Sequence, residues 1–221
     1  MPKRDYIAEI IEIKSRRLKK GTRFEQLSRR YYSILDTLLF TLENEDLDKN
    51  VEREILRYIP IGLVACVQGF FKLVISDLID KVPECRENVR NFKDLKLDID
   101  VVLAIHKKDV SLGDFVSHLV PLSNFDALNS AMSILLGEKF MRLVETVEWE
   151  NSAGNTVKYD PFITQHLIEL FDIRNNYCHE IVPKKESVVE LSKRAAFITV
   201  TIISFFYATE RLVEDKINSA A

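Results

Sequence analysis

Only six glycines and six prolines occur among the 221 residues, so the backbone has few places to turn sharply and the segments between turns must be long. Few breakers favour helices. The apolar residues agree: Phe24, Leu27, Tyr31, Ile34, Leu38 and Leu42 recur at three- and four-residue steps, the spacing of one helical face. Phe125, Leu128, Met132, Leu135, Leu143 and Val147 mark the buried side of a second such helix. A long apolar helix is expected from Ile61 to Val82, preceded by a break or kink at Ile59–Pro60 and closed by Pro83. A shorter helical pattern spans Val89 to His106, and two start signals follow, Ser111 with Asp114 and Ser123 with Asp126. Glu150 to Pro161 is the clearest loop. One helix begins after it and closes before Pro183, and a last one runs from Val188 to Lys216. The β-branched run FITVTIISFF reads as part of that helix because no partner strands are evident. The expected fold is all-α: an antiparallel helical bundle over residues 61–221, with additional N-terminal helices in residues 1–60.

Composition narrows the functional classes. At 47% hydrophobic and 29% charged residues, the chain can bury a core without disulfides. Cys66, Cys85 and Cys178 are odd in number and show no CxxC spacing, which predicts free thiols in a reducing compartment. The N-terminus MPKRDYIAEIIEIKSRRLKK is charged throughout and has no apolar signal core, so a cytoplasmic location is expected. Two apolar stretches invite a membrane test. Ile61 to Ile75 contains Gln68 and Lys72, and Ala195 to Ala208 is shorter than the roughly 20 residues of a spanning helix, so both read as core helices. The net charge of -3 rules out holding nucleic acid by overall charge, so any RNA contact must be local. Lys14, Arg16, Arg17, Lys19, Lys20 and Arg23 form a basic run that reads either as a solvated face or as such a contact.

The chemistry concentrates in the helix after Pro161. With Arg174 at zero on a wheel of about 100° per residue, Ile163, Leu167, Leu170, Phe171, Tyr177, Cys178 and Ile181 all fall within about 60° of it. A guanidinium on an apolar stripe is costly unless it is paired or hydrogen-bonded, so either a structural ion pair, a head that reaches solvent, or a catalytic role accounts for it. His179 lies five residues on, about 140° around the wheel, so a straight helix points the two side chains apart. Either the helix loosens before Pro183 or a second chain completes the site. Among other motifs, HExxH, GxSxG and a glycine-rich phosphate loop are missing, and His106, His118 and His166 show no metal-ligand spacing, so neither a metal nor a cofactor is expected.

The string Arg174-Asn175-Asn176-Tyr177-Cys178-His179 resembles the R-x(4–6)-H signature of HEPN domains, in the form with a polar residue directly after the arginine. The resemblance covers about Ile61 to Lys216. It implies a helical bundle that forms a homodimer, brings two motifs into one cleft and cuts RNA without metal, as in toxin–antitoxin and antiphage defence systems. On this reading Arg174 and His179 are catalytic, Asn175 orients His179 or the phosphate, and Lys184 and Lys185 extend the phosphate track. An antitoxin or regulatory protein is the accompanying partner. HEPN proteins restrained by a small nucleotidyltransferase antitoxin usually carry a tyrosine two residues after the histidine, where this chain has Ile181, which departs from that scheme. The rival expectation is a non-catalytic HEPN-like module that binds a partner protein or a nucleotide.

Overall fold

The computed structural model describes residues 5–17, 21–93, 95, 99–107, 109–150, 154–179 and 186–220. Ten α-helices and one short hairpin make up these residues: α1 Tyr6–Arg16, α2 Arg23–Glu43, α3 Lys49–Lys81, α4 Pro83–Asn88, α5 Ile99–His106, α6 Leu112–Leu119, α7 Phe125–Leu136, α8 Phe140–Val144, β1 Glu148–Glu150, β2 Thr156–Lys158, α9 Phe162–His179 and α10 Val188–Ala220. The fold is all-α. The expected loop after Glu150 holds an antiparallel hairpin in which Trp149 faces Val157, a pairing too short for alternation to reveal.

Helix α3 is the axis of the molecule. Its 33 residues pack against α2, α6, α9 and α10, and Leu63, Val67, Phe71, Val74, Ile75, Leu78 and Ile79 have no exposed surface. Pro60 does not break it. A proline there removes one backbone N–H and costs about 3 kcal/mol in a helix interior. Leu56, Ile59 and Leu63 are buried on both sides of that defect, and burial of apolar side chains at about 1.5–3 kcal/mol each outweighs it. A boundary at residue 60 therefore falls inside one continuous helix. Leu27, Tyr31 and Leu38 of α2 also join the same core as the later helices, and the Tyr31 hydroxyl donates to the Thr199 carbonyl of α10 at 2.7 Å. Leu42 is exposed and Thr41 is buried in its place, a one-residue drift of the predicted stripe.

Phenylalanines knit α3, α8 and α10 together: Phe71 stacks on Phe205 at 5.5 Å, while Phe70 meets Phe206 edge-on at 5.2 Å and Phe71 meets Phe140 at 5.8 Å. Helix α10 carries FITVTIISFF as a helix, as expected for a β-branched run without evident partner strands. Both α3 and α10 reach spanning length with an apolar 18-residue window, so shortness does not distinguish α10 from a membrane span. Of those windows, 61% and 56% is packed inside the protein. The helix predicted through Val147 ends at Leu136, because Gly137 adopts φ 72°, the left-handed conformation of a helix C-terminus.

Three described members of the basic run near the N-terminus, Lys14, Arg17 and Arg23, pair with carboxylates of other helices, while Arg16 stays on a solvated face. Lys14 and Arg17 reach Asp114 at 2.8 and 3.1 Å, Arg16 pairs with Glu12, and Arg23 bridges Asp77 and Glu210. Lys19 and Lys20 lie outside the described residues. Asp114 also closes the predicted capping box with Ser111. Cys66 and Cys85 are buried free thiols, each pushed up to about 11 by burial, and Cys178 is an exposed one.

Candidate functional site

Helix α9 lies against α3, α7 and α10 with Ile163, Leu167, Leu170, Phe171 and Ile173 buried. Cys178 falls outside this set and is exposed, since the stripe runs out toward the helix end. Arg174 is half-buried on the stripe. Its Nη2 donates to the backbone carbonyl of Ser123 at 2.7 Å and its guanidinium carbon sits 6.0 Å from the Phe171 ring centroid. No carboxylate pairs with it among the described residues, and its Nε is buried with no acceptor among them. The structural ion pair is therefore not what accommodates this charge. Among the described residues, one neutral carbonyl and one aromatic ring hold it, and no carboxylate neutralises its charge.

The carbonyl that Arg174 takes has a local cause. Ser123 was the expected cap of α7, but Asn124 caps it, its Oδ1 accepting from the Ala127 N–H at 2.8 Å. Ser123 is one residue outside the helix, and its carbonyl is free for Arg174. The preceding carbonyl, of Leu122, accepts from Gln68 Nε2 of α3 at 2.7 Å. Side chains from α3 and α9 thus clamp the turn that enters α7.

His179 is the last residue of α9 and is exposed. The helix stays regular to that point, so it does not loosen to bring the imidazole back toward Arg174. Among the described residues no hydrogen bond or ion pair joins Arg174, Asn175 and His179 to one another, and Asn175 is half-buried beside Arg174. Lys184 and Lys185 lie outside the described residues, as does Ile181. A single chain does not bring the predicted pair together.

One polar cluster beside the motif escaped the sequence reading. The Tyr177 hydroxyl donates to Glu186 at 3.0 Å and receives a bond from Arg194 Nη1 at 3.1 Å, while Arg194 pairs with Glu186 at 2.6 Å. The Arg57 guanidinium of α3 lies 5.9 Å from the Tyr177 ring centroid and pairs with Glu54 at 3.0 Å. Burial pushes the Tyr177 hydroxyl up, helped by the Glu186 carboxylate. For Glu186, burial acts upward, but the hydrogen bonds from Arg194 and Tyr177 prevail and hold it below the usual glutamate value. This lock joins α9 to α10 across the motif's C-terminal side. Its signal was available: Arg57 stands among Leu56, Ile59 and Pro60, as Arg174 stands among its own apolar neighbours.

These features define a helical-bundle protein with an arginine on the apolar side of one helix that has no carboxylate partner among the described residues, and an exposed histidine at that helix's end. Compared with protein-family models, with curated proteins and with solved structures, the chain matches none. Among the described residues, no three His, Cys, Asp or Glu side chains are grouped to hold a metal ion.

Proposed function

We propose that the chain is a metal-independent endoribonuclease of the HEPN type, acting as a homodimer in a toxin–antitoxin or antiphage defence setting. The observation that carries this reading is Arg174: a half-buried guanidinium with no carboxylate partner among the described residues and a buried Nε lacking an acceptor. Such a group suits an anion. A phosphate offers the paired oxygens that a guanidinium fork binds best, and the negative charge that develops on the phosphorane strengthens the contact in the transition state. His179, exposed at the helix end, offers an imidazole for general acid–base proton transfer. The 2′-oxygen attacks phosphorus as a base takes its proton, and the departing 5′-oxygen leaves as an acid supplies one. The products are a 2′,3′-cyclic phosphate and a 5′-hydroxyl.

Because α9 holds Arg174 and His179 on different sides, the pair works across two chains on this reading, with the histidine of one motif serving the arginine of the other. An isologous interface makes that economical, since one patch serves both sides. A second reading, a non-catalytic module that binds a partner or nucleotide, draws on the bond from Arg174 to Ser123, which gives the arginine a structural task. An RNA cleavage assay separates them. Cleavage that survives excess EDTA, ends in 2′,3′-cyclic phosphate and disappears in Arg174→Ala and in His179→Ala supports the nuclease. Chelator-sensitive cleavage, 5′-phosphate products, or an Arg174→Ala variant as active as the parent chain refutes it.

A further inference from the structure

A second site, unconnected with the motif helix, lies where the N-terminus of α2, the β-hairpin and the C-terminal half of α10 meet. It is a cavity of about 520 Å³ walled by Phe24, Trp149 and Tyr207, a volume within the range of small-ligand pockets. Phe24 and Tyr207 lie with ring centroids 4.6 Å apart, and Tyr207 is exposed to solvent.

The charges of this cavity do not cancel. Glu150, Glu210 and Glu214 line it, with Arg211 as the cation. Glu210 is already matched by Arg23 at 3.0 Å, and Arg211 lies 3.7 Å from Asp215. Glu150 and Glu214 have no cationic partner among the described residues, and both are exposed toward solvent. At the start of α2, a backbone feature that attracts anions, a reciprocal capping box takes up the Thr22 and Glu25 N–H groups and sets the Glu25 carboxylate against the helix terminus. Aromatic faces carry negative quadrupole charge. Aromatic walls, two unbalanced carboxylates and a capped helix terminus all disfavour phosphate and favour positive charge.

We propose that this cavity binds an organic cation, a guanidinium or alkylammonium group stacked among Phe24, Trp149 and Tyr207 and neutralised by Glu150 and Glu214. The group is either the head of a free amine or the arginine side chain of a basic peptide. The site is independent of RNA cleavage and stands whether or not the chain is a nuclease.

Trp149 is the chain's one tryptophan, so its fluorescence reports on this cavity alone. Titration of the full chain with agmatine, and separately with an end-blocked peptide containing arginine, is expected to give a saturable change with at least one of them. Saturation by agmatine alone assigns a free amine, and saturation by the peptide alone assigns a basic segment. Glu214→Gln and Tyr207→Ala, both at exposed positions, are expected to weaken binding by roughly tenfold each, with unchanged far-ultraviolet circular dichroism. Inorganic phosphate is expected to leave the signal unaltered. The proposal is overturned by a flat titration with both cations, by an equal response to phosphate, or by binding that Glu214→Gln leaves intact.

Discussion

At the scale of single residues, Asp114 and Arg174 show opposite ways of keeping a charge in a helical core. Asp114 is surrounded by partners: Lys14, Arg17, the Ser111 N–H and the Ser76 hydroxyl all reach it. Burial acts to raise its carboxyl, yet the bonds from Lys14 and Ser111 prevail and hold it below the ordinary value. A carboxyl that titrates lower in the folded than in the unfolded chain stabilises fully above about pH 4 and loses that contribution as pH falls through its folded value. Asp114→Asn is expected to cost about 2 kcal/mol near neutral pH and to flatten the acid limb of stability against pH, as urea melts at several pH values would record. Among the described residues Arg174 has one neutral acceptor and no acceptor for its buried Nε. Its removal frees one carbonyl, so Arg174→Ala is expected to lower stability by only about 1–2 kcal/mol while eliminating RNA cleavage. Loss of folding in that variant, seen by circular dichroism, would assign the residue to the clamp at α7 instead.

Among the elements, α3 and α6 approach closely at Gly113. A Cβ added at Gly113 would stand 2.3 Å from the Ser76 carbonyl oxygen and 2.9 Å from the Asp80 carboxyl, while the Gly113 N–H donates to Asp80 at 3.0 Å. Backbone cannot move aside as a side chain can. Gly113→Ala is therefore expected to destabilise by about 3 kcal/mol, measured as a lower urea midpoint with an unchanged slope. Helix α9 supplies the contrasting case, an element regular to its last residue whose two motif side chains face different surroundings. Its fixed geometry is why the nuclease reading requires a second chain, and light scattering at micromolar concentration is expected to report a dimer. A monomer would refute the shared cleft.

Over the whole molecule, α2, α3, α9 and α10 contribute to one hydrophobic core, and a smaller cluster of Ile10, Val101, Ala104, Val110 and Phe115 sits under α1, α5 and α6. The N-terminal sixty residues pack into the common core, since α3 begins at Lys49 and α2 buries Leu27, Tyr31 and Leu38 against the rest. Deleting residues 1–48 is expected to expose those faces of α3 and α10, and to yield a chain that aggregates or loses its cooperative melt. A deletion that melts like the full chain would separate the two parts.

The all-α class, the second and last helices, the stop at Pro83 and the capping box at Ser111 were legible in the sequence, because periodicity, proline and caps act within a few residues of one another. The anomaly of Arg174 was legible for the same reason: a charge on an apolar stripe shows on a wheel. What the sequence could not decide depended on distant partners. Pro60 reads as a breaker until Leu56, Ile59 and Leu63 are buried around it, and the basic run reads as a solvated face until Asp77, Asp114 and Glu210 come within reach. The Tyr177–Glu186–Arg194 lock needs α9 and α10 side by side. Local preferences amount to about a kilocalorie per residue, while burial and ion pairing are set by neighbours that only the folded chain assembles, so tertiary structure settled every case where the two disagreed.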